Sequence, residues 1–292
     1  LAVRVLMIGA TGRFAGLVMP ELTKRGIWVR ALVRTKEAER IAHERGADET
    51  VLGDLEEARG LISAAVGADA VFYIGPAFHP RESSLGVTMV SAAKAAGVRK
   101  FVFSGVLHPS LSRLSNHAAK RPVEEALYES GMTFTVLQPA SFMQNMQMEW
   151  NRILETGVYA LPYSPRARVC YVDYRDVAEV AALAFMGDRL DNGTFELSAP
   201  GMLTRFQLAA MLSEALGRRI DAGRIDFDEW ADRAALPEGA TRRGMQRLFS
   251  EYDQCGFHGG NGLVLRSILG REPRSLRQYF RELAAGGAKR AA

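Results

Sequence analysis

Apolar positions fall in short continuous runs through the first 140 residues, each closed by glycine, proline or a small polar residue. Val3 to Ile8 opens the series. Ile27 to Val33, Glu49 to Leu52, Asp69 to Ile74, Lys100 to Ser104 and Met132 to Leu137 continue it, the last stopped by Pro139. Between these runs, Lys36 to Arg45, Glu56 to Val66 and Ser83 to Ala96 read as helices, and Gly97 supplies a C-terminal stop for the third. Strands that are apolar on both faces and separated by helices predict a parallel sheet covered on both sides. The expected fold class is α/β: a doubly wound parallel Rossmann sheet over residues 1–140, followed by a smaller, mainly helical α/β region over 141–292.

The pattern loosens after Pro139. Phe142 to Leu154, rich in Met and Gln, reads as a helix with Met143, Met146 and Trp150 on one packing face. Leu161 to Pro165 reads as a loop, Val169 to Val172 as a strand and Asp173 to Met186 as an alanine-rich helix. The Asp191-Asn192-Gly193 turn leads into a strand at Thr194 to Leu197, which is expected to return to or extend the first sheet. Thr204 and Gln207 form a capping box for a helix reaching Leu216. The remainder reads as mainly helical, including Pro273 to Leu283, with a frayed tail from Ala284 to Ala292.

Composition adds limits. With 292 residues, 48% apolar and 24% charged, the chain has the balance of an ordinary globule. No apolar run approaches the ~20 residues that span a bilayer, so no membrane partner is expected. The first apolar run is accounted for as a strand rather than a signal peptide, which makes cytoplasm the expected location. Cys170 and Cys255 have no paired-cysteine spacing, and the histidines show no metal-ligand spacing; no metal is expected. Net charge is +4, and from Arg218 onward there are 14 Lys/Arg against 10 Asp/Glu, so the surplus lies at the C-terminal end. Without a nucleic-acid-binding signature, that surplus (Arg242, Arg243, Arg247, Arg266, Arg271, Arg274, Arg277, Arg281) reads as a solvated basic face rather than a nucleic-acid surface.

The junction after the first strand carries the strongest chemical signal. Gly9-Ala10-Thr11-Gly12-Arg13-Phe14-Ala15-Gly16 joins an apolar strand to a helix, the order that brings backbone amides and a helix N-terminus to a pyrophosphate. Gly9 suits the tight turn and Gly12 the close approach, while Ala15 stands in for the third small residue. After the second strand come Arg34 and Lys36, with no carboxylate before Glu37. An acidic residue there accepts from a ribose 2′-hydroxyl, whereas cations suit a 2′-phosphate; Arg34, with Arg13 in reach, favours NADP(H) over NAD(H).

Several segments together resemble the NmrA-like family of atypical short-chain dehydrogenases/reductases. They are Gly9-Ala10-Thr11-Gly12, Arg34, Gly53-Asp54-Leu55, Phe101-Val102-Phe103-Ser104, His117 through Glu125, Leu137 through Asn145, and Val172 through Ala178. The resemblance implies an NADP(H)-binding Rossmann domain and a smaller substrate-binding, cleft-closing C-terminal region. It implies that Asp54 and Leu55 flank the adenine and that Gly75 and Pro76 pass near the ribose or pyrophosphate. It also implies that Pro139, Ala140, Ser141 and Phe142 line the nicotinamide pocket. Ser104 is a further candidate for a bond to substrate or cofactor.

In ordinary relatives a tyrosine four residues before a lysine donates the proton to a carbonyl. Here Lys120 is present, but Asn116 occupies the tyrosine position and cannot act as an acid near neutrality. Lys120 is the candidate ribose and catalytic ligand, and His117 the candidate proton donor. Pro122 argues that a helix starts near Arg121, leaving His117 before it. His79 and His108, each following a strand, are candidates for the rim of the site. The leading expectation is an NADPH-dependent oxidoreductase reducing a small carbonyl, quinone or aromatic compound, with an apolar or aromatic small molecule as partner. The alternative is a non-catalytic NADP(H)-binding redox sensor acting through a regulatory protein partner.

Overall fold

A computed structural model describes residues 2–291, with side chains through residue 286. The chain divides into two compact units: residues 1–139 with 177–196, and residues 140–176 with 197–292.

The first unit alternates strand and helix: β1 (Arg4–Ile8), α1 (Ala15–Thr23), β2 (Trp28–Val33), α2 (Lys36–Glu44), β3 (Glu49–Leu52), α3 (Ala58–Ala65), β4 (Ala70–Ile74), α4 (Glu82–Ala95) and β5 (Lys100–Ser104). A single turn, α5 (Ser115–Ala118), then α6 (Arg121–Ser130) and β6 (Thr133–Pro139) follow. With a later strand, β10 (Gly193–Leu197), these form a seven-stranded sheet in the order β10-β6-β5-β4-β1-β2-β3. The pairings from β6 through β3 are all parallel. Val5–Ile8, Ala70–Tyr73 and Phe101–Ser104 are buried throughout because helices cover both faces. On one face Leu6, Ile8, Val71, Phe101 and Phe103 pack with Met89, Val90 and Leu127. The strand order reverses between β1 and β4, and ligands bind doubly wound sheets at the carboxyl ends of strands beside such a switch.

Helix α8 (Tyr174–Ala184) carries the unit division: from Val177 it belongs to the first unit, as does the chain through Glu196. The return of this segment therefore includes most of a helix as well as the strand read at 194–197. Its attachment is explicit, since Lys100 Nζ donates to the carbonyls of Ala184 (2.8 Å) and Gly187 (2.6 Å), and Thr135 Oγ1 donates to that of Leu190 (2.9 Å).

The second unit departs further from the sequence reading. In place of one Met-rich helix there are β7 (Ser141–Phe142), a 3-10 segment (Met143–Met148) and α7 (Trp150–Thr156). Gln144 explains the break. Its amide donates to Asp173 Oδ1 at 2.7 Å, and its carbonyl oxygen accepts the Tyr174 amide at 2.9 Å, which fixes this stretch against the next strand-helix junction. Strands β8 (Val158–Leu161), β9 (Val169–Val172), β11 (Met202–Leu203) and β12 (Asp221–Arg224) make two small sheets, β11-β9-β7 and β12-β8. Of these, β8, β11 and β12 lie in segments not read as strands, all three being short. The helices α9 (Arg205–Leu216), α10 (Phe227–Arg233), α11 (Ala240–Cys255), α12 (Leu263–Leu269) and α13 (Leu276–Ala291) complete the unit, and the Thr204–Gln207 capping box is present. The expected frayed tail is helical through Ala291; Ala292 lies outside the described residues.

The basic C-terminal surplus is not a uniformly solvated face. Arg271 and Arg274 converge on Asp176, whose side chain is fully buried, while Arg242 pairs with Asp228 and Asp232 and Arg277 with Glu214. Asp176 and Glu214 lie far from their arginines in sequence, so counting charges along the chain could not reveal those pairs, whereas Asp228 and Asp232 are near Arg242.

Candidate functional site

A cavity of about 470 Å³ opens at the carboxyl ends of β1 to β4, at the strand-order switch. Its floor is the turn after β1. Gly9 has φ +80°, a region L side chains rarely adopt, and a Cβ there would meet Ile74 Cγ2 at 3.4 Å. The Gly12 amide donates to the Gly9 carbonyl at 2.7 Å, closing the turn just before α1. Thr11, Gly12, Arg13 and Phe14 line the cavity beside the N-terminus of α1, whose dipole favours an anion.

Gly16 has a different reason to be glycine. A Cβ on it would overlap the Arg45 guanidinium, and Arg45 Nη1 donates to the carbonyls of both Ala10 and Gly12 at 3.0 Å. The residue just past α2 thus braces the turn from behind. No sequence motif announced Arg45; the displaced glycine was the available signal.

The wall after β2 presents Arg34, exposed and lining the cavity, with no ion-pair partner among the described residues. Thr35 next to it caps α2 by accepting the Ala38 amide at 3.1 Å. Glu37, the nearest carboxylate in sequence, is bonded to Arg40 at 2.6 Å, which holds its pKa below the usual range. Lys36 is exposed, unpaired among the described residues, and does not line the cavity.

Asp54 and Leu55 line the cavity after β3, and Gly75 and Pro76 line it after β4. Asp54 also accepts the Glu56 amide at 3.0 Å, so one carboxylate both shapes the turn and faces the cavity. His79 is a lining residue; its Nε2 lies 3.6 Å from Glu56, which also pairs with Arg81 and so ties the two loops together.

The remaining predicted residues lie elsewhere. Ser104 and Pro139 are buried at the carboxyl ends of β5 and β6, whereas Ser141 and Phe142 belong to β7 in the second unit. His117 is 1% exposed, and its Nδ1 lies 3.1 Å from the His108 carbonyl. A carbonyl partner requires the proton on Nδ1, the arrangement of a packed, backbone-bonded histidine. His108 does not line the cavity, and contributes this carbonyl from a left-handed backbone at φ 59°. Helix α6 begins at Arg121 with Pro122 in its first turn, so Lys120 is its cap and His117 sits in the separate turn α5.

Lys120 is 6% exposed and its Nζ forms an ion pair with Glu82, itself 3% exposed. Burial pulls the Lys120 amine down to about 8, while the adjacent carboxylate opposes that loss of charge. Four residues on, Glu124 is raised by burial and accepts from Gln138 Nε2 at 2.9 Å, which opposes the rise. The Tyr73 hydroxyl is buried without a hydrogen-bond partner among the described residues, and burial raises its pKa. Glu82 was absent from the sequence candidates, because nothing in a helix-opening glutamate marks it as buried.

The NmrA-like family matches residues 2–281. An NAD(P)H azoreductase of Xenophilus azovorans is 33% identical over 219 residues, 74% of this chain and 75% of that protein. A (4-alkanoyl-5-oxo-2,5-dihydrofuran-3-yl)methyl phosphate reductase of Streptomyces griseus is 30% identical, covering 96% of this chain and 98% of its own. The triphenylmethane reductase of Citrobacter sp., solved with NADP(H), superposes with a TM-score of 0.84 at 21% identity, covering 96% of this chain and 99% of that one. The sheet order, the glycine turn at its switch point and the match over nearly the whole length agree: this chain belongs to the NmrA-like family.

Proposed function

We propose that the protein is an NADPH-dependent reductase of a small aromatic or quinone-like acceptor. The observation that carries the reading is the cavity at the sheet's switch point, where a glycine turn and helix N-terminus face an exposed, unpaired Arg34. The residues fit the cofactor. The amides around Gly12 suit its pyrophosphate, Arg34 its 2′-phosphate, and Asp54 and Leu55 its adenine; Gly75 and Pro76 suit the ribose or pyrophosphate. When bound, the cofactor supplies a hydride. Lys120 then holds the nicotinamide ribose, and His117 is assigned to packing, leaving Lys120 or water to deliver the proton. Ser104 and Pro139 are proposed to face the nicotinamide. Azo and triphenylmethane compounds, named for the relatives, support an apolar aromatic acceptor.

The test is single-turnover oxidation of bound NADPH by a panel of quinones, azo dyes and triphenylmethane dyes. The expected result is acceptor-dependent loss of NADPH absorbance, slowed at least about tenfold by Lys120→Met. Tight NADPH binding with no oxidation by any acceptor would instead support the sensor alternative.

A further inference from the structure

One carboxylate reaches both Lys120 and the loop that lines the dinucleotide cavity. Glu82 opens α4, a position where an acidic side chain ordinarily stays in water while favouring the helix dipole. Here it is almost wholly buried. Its Oε2 accepts the Phe78 amide at 2.9 Å, and its Oε1 pairs with Lys120 Nζ. Phe78 has φ 64°, a conformation costly for a non-glycine residue that persists only when its surroundings hold it. The loop bearing Phe78 begins at Gly75 and Pro76, both on the cavity wall. The Tyr73 hydroxyl lies close by, since a Cβ on Gly75 would stand 3.3 Å from it and 3.7 Å from Glu82 Cγ.

The titratable groups of β4, α4, α5 and α6 that are not exposed are Tyr73, Glu82, His117 and Glu124, while Lys94, Arg121, Glu125, Tyr128 and Glu129 on the same helices face solvent. Tyr73 is neutral at ordinary pH, His117 is committed to a backbone carbonyl and Glu124 to Gln138. Glu82 is the group in ion-pair contact with the amine.

We propose that Glu82 is the positioning residue for Lys120: its carboxylate fixes the ammonium and, through the Phe78 amide, ties it to the loop beneath the dinucleotide. Occupancy of the cavity and placement of the Lys120 amine are thereby coupled. The inference rests on reading Lys120 and the cavity as parts of one NADP(H) site.

The experiment compares the full chain with Glu82→Gln and Glu82→Asp, using 13C-labelled lysine and assigning the Lys120 signal with Lys120→Arg. Glutamine keeps an acceptor for the Phe78 amide but removes the charge. Its Lys120 midpoint is expected to fall by about one pH unit or more. The alkaline limb of kcat for quinone reduction should move by the same amount, with KM for NADPH changing less than about threefold. Aspartate keeps the charge but withdraws it, so a smaller shift in the same direction is expected; this variant decides the matter should the glutamine variant not fold. A Lys120 midpoint and rate profile unchanged in both variants would overturn the proposal. If the wild-type protein oxidises no NADPH with any acceptor, the reductase reading fails alone, and the lysine titration still decides the role of Glu82.

Discussion

Arg34 and Lys120 are both cations of the first unit, yet the fold treats them oppositely. Arg34 stands exposed on a cavity wall with no counter-ion among the described residues, and the nearest carboxylate in sequence is turned to Arg40. Lys120 is buried against Glu82, which also holds a backbone amide. A charge left hydrated and unpaired can be completed by a ligand at little desolvation cost. A charge buried with its counter-ion is instead fixed in place before any ligand arrives. The first arrangement suits recognition of an anionic group, and the second suits orientation of a reacting one.

Breaking the buried side of this comparison should have the largest effect. Glu82→Ala would leave the ammonium buried without its partner, and a loss of about 3 kcal/mol in unfolding free energy is expected from urea titration at pH 6. The loss should shrink with rising pH. Lys120 titrates near 8 in the folded wild type, lower still once Glu82 is gone, and near 10.5 when unfolded. Below about 8 only the folded variant has shed the proton, so its stability rises with pH while the wild type's does not, and above that the two rise in parallel. A loss independent of pH would contradict the buried-charge account.

Next comes the floor of the cavity. Gly9→Val places a branched side chain at φ +80° against Ile74, and NADPH affinity should fall by about 100-fold, read by fluorescence titration. Arg45→Ala removes two bonds to the turn from behind; a loss of about 1 kcal/mol in stability and a several-fold weaker Kd are expected. Arg34→Ala should weaken NADPH by roughly tenfold while leaving NADH unchanged, a split that calorimetry can read. The smallest effect belongs to Glu37→Ala. Its fully exposed pair with Arg40 is screened by solvent, so the urea midpoint should not move measurably and cofactor preference should not change.

The sheet was legible because parallel strands buried on both faces must be continuous apolar runs, and the glycine turn because phosphate approach restricts residue choice so narrowly. Arg34 was legible for a similar reason: its position is fixed by the end of β2. What escaped the sequence depended on distant partners. Gln144 breaks the expected Met-rich helix by reaching Asp173, and Arg271 with Arg274 find Asp176 nearly a hundred residues away. Glu82 looked like any first-turn glutamate until α6 brought Lys120 to it. Arg205 is similar, a helix-opening arginine that lies fully buried over the Tyr163 ring at 4.2 Å and donates to the Tyr163 and Gly223 carbonyls. Periodicity reports which face is buried; it does not report which polar side chain will be buried with a partner from another element.

On the proposed reading, recognition of a 2′-phosphate by the unpaired Arg34 makes this cavity a site for NADP(H) rather than for any dinucleotide. The most direct measurement is the affinity of the wild-type protein for NADPH and for NADH, titrated under identical salt and pH. NADPH should bind tighter by at least about tenfold, the scale of one charge-assisted phosphate contact. Equal affinities, or tighter NADH, would contradict that role for Arg34.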